Sequence, residues 1–180
     1  MEKSWSILPL RTVNAKEFFQ LIDKNREYLL PTFPVTVTAC ESLWSTKAFL
    51  AERKKEQKKK KGHAFAIKEV ATEQLIGYFS VKNVNEKIKR CEFAYFIDHN
   101  FQGKGYTSEI IETMIPMAFE DLEMNKIIIA TSPENTASQK VALKNGFVQE
   151  GRLRQEFKNY RNELKDVLYF GLLKKDFSEK

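Results

Sequence analysis

An apolar strand that runs into a glycine-rich turn and then a helix dictates a fold of mixed helix and sheet. This chain carries that junction at Asp98-His99-Asn100-Phe101-Gln102-Gly103-Lys104-Gly105-Tyr106-Thr107-Ser108-Glu109. A helix start presents backbone N–H groups that lack carbonyl partners within the helix, together with a partial positive charge. Gly103 and Gly105 take away the β-carbons that would keep phosphate oxygens off the main chain. The turn is an anion cradle, and the ligand it suits is a phosphorylated carrier.

Hydrophobic spacing sets the elements around it. Helical periodicity over 15–30 puts Phe18, Phe19, Ile22 and Leu29 on one face, and over 43–58 it groups Leu43, Trp44, Ala48 and Phe49. Between them Pro31 and Pro34 predict an irregular loop over 30–35. Strand-like runs follow at 63–69, 75–83 and 88–97, separated by Thr72-Glu73-Gln74 and Asn83-Val84-Asn85-Glu86 as hairpin turns, which makes an antiparallel meander. A helix over 105–122, with a kink expected at Pro116, leads to a buried strand over 126–131. Asn135 is placed to cap a further helix that Gly146 stops, and 147–153 with 164–172 form a closing strand pair. The fold class is α+β: a mixed, largely antiparallel sheet flanked by helices, read as a single domain over 1–180.

Two common phosphate loops do not match the junction. The dinucleotide fingerprint sits early in a βαβ unit and ends on a third small residue, whereas here Ser108 stands at that place and the strand comes late in the chain. A Walker loop closes on Gly-Lys-Ser or Gly-Lys-Thr, whereas Lys104 precedes Gly105. Gln102-x-x-Gly105-x-Thr107 instead resembles the acetyl-CoA pyrophosphate loop of the GNAT acetyltransferases, with Thr107 where the family carries a small residue. The run Pro133-Glu134-Asn135-Thr136-Ala137-Ser138-Gln139-Lys140, continuing to Lys144-Asn145-Gly146-Phe147, resembles the Asn-x-x-Ser and Lys-x-Gly-Phe segment of the RimJ/RimL-like branch. Leu8-Pro9-Leu10-Arg11 and Asp23-Lys24-Asn25-Arg26-Glu27-Tyr28-Leu29 are similar to that branch's first strand and first helix, and Glu150-Gly151-Arg152-Leu153-Arg154 to its penultimate strand. Ala142 and Leu143 depart from the Leu-Glu more usual there.

The resemblance implies acetyl-CoA as co-substrate, no metal, and a primary amine as acceptor. It implies that the pantetheine arm pairs with the main chain of Phe96, Ile97 and Asp98, and that the diphosphate lies on Gln102, Gly103, Lys104, Gly105, Tyr106 and Thr107. The N–H of Ile97 would face the thioester carbonyl, a contact worth about 2.7–4 kcal/mol where oxyanion donors have been removed from enzymes. An ammonium cannot attack until it loses a proton, and Glu92, five residues before Ile97, is the candidate base. Glu156 is the alternative carboxylate, and the polar face of an amphipathic strand is the plain reading of Glu92. Ser138 is the candidate partner of the departing thiolate or a first-turn helix residue; a tyrosine used by many relatives is replaced by Ala142. Asn135 either only caps its helix or, as the resemblance implies, also meets the pantetheine. The branch name points to the N-terminus of a ribosomal protein. Small amines such as polyamines, amino acids or antibiotics are the alternative acceptors, and a non-catalytic acyl-CoA-binding protein is the alternative class.

Composition narrows the partners. The net charge of +6 comes from Arg53 to Lys61, where Glu56 is the one acidic residue; the rest of the chain balances. That run reads as a loop and solvated helix end, or as a track for ribosomal RNA, with no aromatic residue for base stacking. Cys40 and Cys91 lack metal-ligand spacing and read as reduced structural thiols; His63 and His99 read as packing or solvent-facing, and Trp5 and Trp44 as packing anchors. With no long apolar run and no basic-then-apolar leader, a cytoplasmic protein without membrane contact is expected.

Overall fold

The computed structural model describes residues 3–178. Seven strands form one sheet: β1 (Trp5–Pro9), β2 (His63–Glu69), β3 (Leu75–Asn85), β4 (Arg90–Ile97), β5 (Lys126–Thr131), β6 (Val148–Lys158) and β7 (Leu164–Leu173), in the order β1-β2-β3-β4-β5-β7-β6. β1 runs antiparallel to β2, and β7 antiparallel to both β5 and β6. β4 and β5 are parallel, which requires a crossover, supplied by α5 (Tyr106–Pro116). The α+β class with a largely antiparallel sheet is as expected. The chain divides into two compact units, one taking in residues up to Ser80 and Tyr95–Lys104, the other Val81–Ala94 and the chain from Gly105 onward.

In the first unit the expected helix over 15–30 is two, α1 (Ala15–Lys24) and α2 (Arg26–Leu29), broken at the buried Asn25. Pro34 does not hold the chain in a loop either. It occupies the first turn of α3 (Pro34–Ala39), where proline's missing N–H costs nothing. Arg26 reaches the end of that helix and donates to the carbonyls of Val37 (3.2 Å) and Cys40 (3.0 Å). α4 (Leu43–Lys58) starts on a reciprocal cap between Ser42 and Ser45. The first strand lies earlier than the Leu8–Arg11 segment suggested, because Leu10 already turns into a short 3-10 helix. A chain of aromatic rings holds the core: Phe18 on Phe49 (5.9 Å) and Tyr78 (5.8 Å), Tyr78 on Phe96 (5.6 Å), Phe96 against Phe33 (5.3 Å). Trp5 is buried as expected, but Trp44 is 80% exposed and anchors nothing in this unit's core.

In the second unit Pro116 ends the α-helical ladder of α5, and the chain continues as a π-helical turn over Met117–Asp121, closed by Leu122 N–H to Met117 O at 3.0 Å. Opposed positions on paired strands share a face. Ile127, Ile129, Phe170 and Leu172 therefore form one buried face, while Ile128, Ala130, Tyr169 and Gly171 line the other. α6 (Thr136–Lys144) is capped by the Asn135 side chain, which accepts from Ser138 N–H at 3.0 Å, and Gly146 follows it at a φ of 84°. β6 runs five residues past the expected Leu153 to Lys158 by way of two bulges. α7 (Lys174–Ser178) closes the described chain.

Both cysteines are free and buried, Cys40 in the first unit and Cys91 in the second. Burial pushes their thiols up to about 11 and about 12, as inert structural cysteines require. Among the described residues no helix is long and apolar enough to cross a membrane, and no group of three or more His, Cys, Asp or Glu is placed to hold a metal.

Candidate active site

The turn after β4 is built by conformation. Gly103 has φ +73° and Gly105 φ +83°, both in the left-handed region, so each needs glycine. A β-carbon added at Gly103 would meet no protein atom within 4 Å, and at Gly105 only the Glu109 carboxylate at 3.8 Å. The space beside both glycines is open, which is what a bound diphosphate needs. Gly105 is the N-cap of α5, and the first intrahelical bond is Glu109 N–H to Gly105 O at 3.2 Å. The amides of Thr107 and Ser108 therefore have no carbonyl partner inside the helix. Lys104 places its ammonium 4.5 Å from the centre of the Phe101 ring, adding a positive charge to the turn.

Upstream, Phe96 and Ile97 are buried. The parallel register of β4 with β5 runs from Arg90↔Lys126 to Phe93↔Ile129 and so ends before both of them. Asp98 is committed within its own unit. Its N–H donates to Ile76 O (2.7 Å), its carbonyl accepts from Phe101 N–H (2.8 Å), and its carboxylate takes Lys24 (2.8 Å) and Asn100 N–H (3.0 Å).

Glu92 is on the Ile128 face of the second unit's strands, in register with Ile128, its side chain 14% exposed. Its Oε1 pairs with the Lys82 ammonium at 3.0 Å, and its Oε2 accepts from the Asn83 amide at 2.8 Å. These partners were hidden from the sequence because β3 runs on to Asn85, which moves the hairpin turn beyond Asn83. Tyr169 occupies the same face. Burial first, then the charges of Glu92 and Glu156, push its phenol up, with Arg90 opposing. Tyr169 thus feels both carboxylates weighed as bases, although Glu156 itself is exposed beside the second bulge of β6. Nothing in the sequence around Tyr169 signalled this; the register of β7 did.

At the start of α6, Asn135 is half-buried and spends its side-chain oxygen on the cap, with Ser138 as the capped residue. Ser108, where the dinucleotide fingerprint would carry a third small residue, is buried and accepts a 3.0 Å hydrogen bond from the Asn145 amide. Of the expected residues, Phe96, Ile97, Asp98, Gln102, Gly103 and Lys104 fall in the first unit, and Glu92, Gly105, Tyr106, Thr107, Asn135 and Ser138 in the second.

The basic run is the helix end and loop expected of it. Arg53 to Lys58 is the end of α4, and only the lysines after it lie in the turn before β2. Arg53 is held by Glu56 (2.9 Å) and lies over Phe49, while the lysines are exposed.

Comparison with known proteins adds four findings. The acetyltransferase (GNAT) domain family matches residues 7–148. The uncharacterized N-acetyltransferase p20 of Bacillus licheniformis is 32% identical over 114 residues, 63% of this chain and 64% of the relative, so the chain spans less than two thirds of that protein's length. The ribosomal-protein-serine acetyltransferase of Escherichia coli (strain K12) is 30% identical over 152 residues, 81% of this chain and 80% of the relative. Among solved structures, Mycobacterium smegmatis RimJ in complex with CoA-disulfide matches with a TM-score of 0.86 at 18% identity, covering 96% of this chain and 83% of that one, a likeness of fold.

Proposed function

Because the chain belongs to the GNAT acetyltransferase family, we propose that it is an acetyl-CoA-dependent N-acetyltransferase whose acceptor is the N-terminal amine of a ribosomal protein. The observation that carries this reading is the pair of positive-φ glycines with open space where their β-carbons would be, at the start of α5. Acetyl-CoA supplies the acetyl group as an activated thioester. The amides of the turn and the Lys104 charge hold the diphosphate, and the main chain of Phe96 and Ile97, beyond the β5 register, orients the pantetheine arm. The Ile97 N–H polarises the acyl carbonyl.

Glu92 takes the proton from the incoming ammonium, which is mostly protonated at neutral pH. Its carboxylate already carries Lys82 and Asn83, so the acceptor's ammonium competes with Lys82 for it, and proton transfer follows when Lys82 gives way. Ser138, in the first turn of α6, stands by the departing thiolate. The acceptor class is supported by the Escherichia coli relative's activity on a ribosomal protein and by the exposed lysines at the end of α4. The test is thiol release from acetyl-CoA with N-terminal peptides of ribosomal proteins set beside a panel of polyamines, amino acids and aminoglycosides. Release with a peptide supports the reading, release with small amines alone moves the acceptor, and saturable binding without release makes the protein a carrier.

A further inference from the structure

The break between α1 and α2 faces the peptide that leads into the glycine turn, and three side chains cross to it in matching order. Lys24 pairs with Asp98 at 2.8 Å. Asn25 Oδ1 accepts from His99 N–H at 3.0 Å and lies 3.2 Å from His99 Nδ1. The Tyr28 phenol is hydrogen-bonded to the Gln102 side chain. Positions 24, 25 and 28 on the helical side thus engage 98, 99 and 102 on the other, one rung after another.

Packing alone does not explain this arrangement. Asn25 is buried, a position an apolar residue would fill without the cost of desolvating an amide. Its carboxamide is instead engaged at both ends, with Nδ2 donating to Leu21 O at 2.9 Å and Oδ1 turned to His99. The Asp98 side chain is only 3% exposed, and its second oxygen caps the 3-10 turn at Asn100 N–H. Apolar contacts would fasten this peptide without fixing its rotation, whereas hydrogen bonds are directional and set which way each carbonyl and amide points. The peptide so held ends at Gln102, immediately before Gly103.

We propose that Lys24, Asn25 and Tyr28 are positioning residues for acetyl-CoA: without touching it, they fix the rotation of the peptide from Asp98 to Gln102 and so preset the diphosphate turn that follows. This rests on the reading of that turn as the acetyl-CoA cradle. Losing one such bond removes preorganisation of the bound geometry, so the effect falls on acetyl-CoA affinity.

The test compares Tyr28→Phe, Lys24→Gln and Asn25→Leu with the parent, reading acetyl-CoA affinity by calorimetry, KM for each substrate, kcat and Tm. Gly105→Asp serves as the control for the cradle itself. Tyr28 is half-exposed and its phenyl variant keeps the ring, so that variant stays informative if Asn25→Leu does not fold. The expected result for Tyr28→Phe and Lys24→Gln is an acetyl-CoA Kd raised about three- to tenfold, the range of one net hydrogen bond, with kcat and acceptor KM within about twofold. In a Gln102→Ala background Tyr28→Phe has no further effect. Parent affinity in Tyr28→Phe and Lys24→Gln while Gly105→Asp loses binding overturns the positioning role alone. Parent affinity in Gly105→Asp overturns the cradle reading, and the positioning role with it. A fall in Tm that moves kcat and both KM values together makes these residues structural only and also overturns the proposal.

Discussion

Both oxygens of the Glu92 carboxylate are already engaged, Oε1 by Lys82 and Oε2 by Asn83, so a base at this position works by exchanging partners. Glu92→Gln keeps the shape and removes the proton acceptor. We expect kcat to fall about 10²-fold or more while acetyl-CoA affinity holds, and steady-state kinetics with a reactive peptide checks it. Lys82→Met removes the competing ammonium, and the acceptor KM should fall in the same assay. Full activity in Glu92→Gln would pass the role to Glu156 or to water. Glu92 was singled out in the sequence by its place five residues before Ile97 and by resemblance to the family. Its partners were not, because two extra residues of β3 decide which side chains lie opposite it.

At the scale of elements, strands and caps were readable where the signal is local. The Asn135 cap and the stop at Gly146 each follow from one residue's chemistry, whereas at Pro116, where a kink was expected, the α-helical ladder ends and a π-helical turn begins. The break at Asn25 was not readable, since the amphipathic pattern continues through it and the partner of its side chain, His99, lies far away in sequence. Pro34 misled because a proline before apolar residues marks a helix start as well as a loop. Asn135→Ala should cost about 1 kcal/mol in denaturant unfolding. Asn135→Asp keeps a capping oxygen, so its stability should hold while acetyl-CoA affinity drops if the amide meets the ligand. The tie from α1 to the turn predicts a pH signature. Burial alone would raise the Asp98 carboxyl, but hydrogen bonds from Lys24, Asn100 N–H and Asn25, with the Lys24 charge, outweigh it and hold the group below its usual value. A depressed carboxyl contributes stability that is present above its unfolded value of about 3.9 and lost as pH falls through the folded one. The Tm gap between parent and Lys24→Gln should therefore be full at neutral pH and narrow on acidification below about pH 4.

For the whole molecule, the helix read between the strands at 88–97 and 126–131 is a crossover, in keeping with the parallel pairing of β4 and β5. The division into two compact units was not legible, since β3 and β4 contribute residues to both and no composition change marks the boundary. The charge excess, equally plain in the sequence, has a location of its own at the end of α4. Replacing Lys58, Lys59, Lys60 and Lys61 by Gln should weaken ribosome co-sedimentation and flatten its salt dependence, with activity on a free peptide retained. Equal co-sedimentation at every salt concentration would make the run a solvated helix end. The most direct test of acetyl-CoA binding at the glycine turn is calorimetric titration of acetyl-CoA into the parent and into folded Gly105→Asp, which sets a strained, negatively charged side chain where the diphosphate would lie. One saturable site in the parent and none in the variant is the expected result; equal affinity in the two proteins would place the ligand elsewhere.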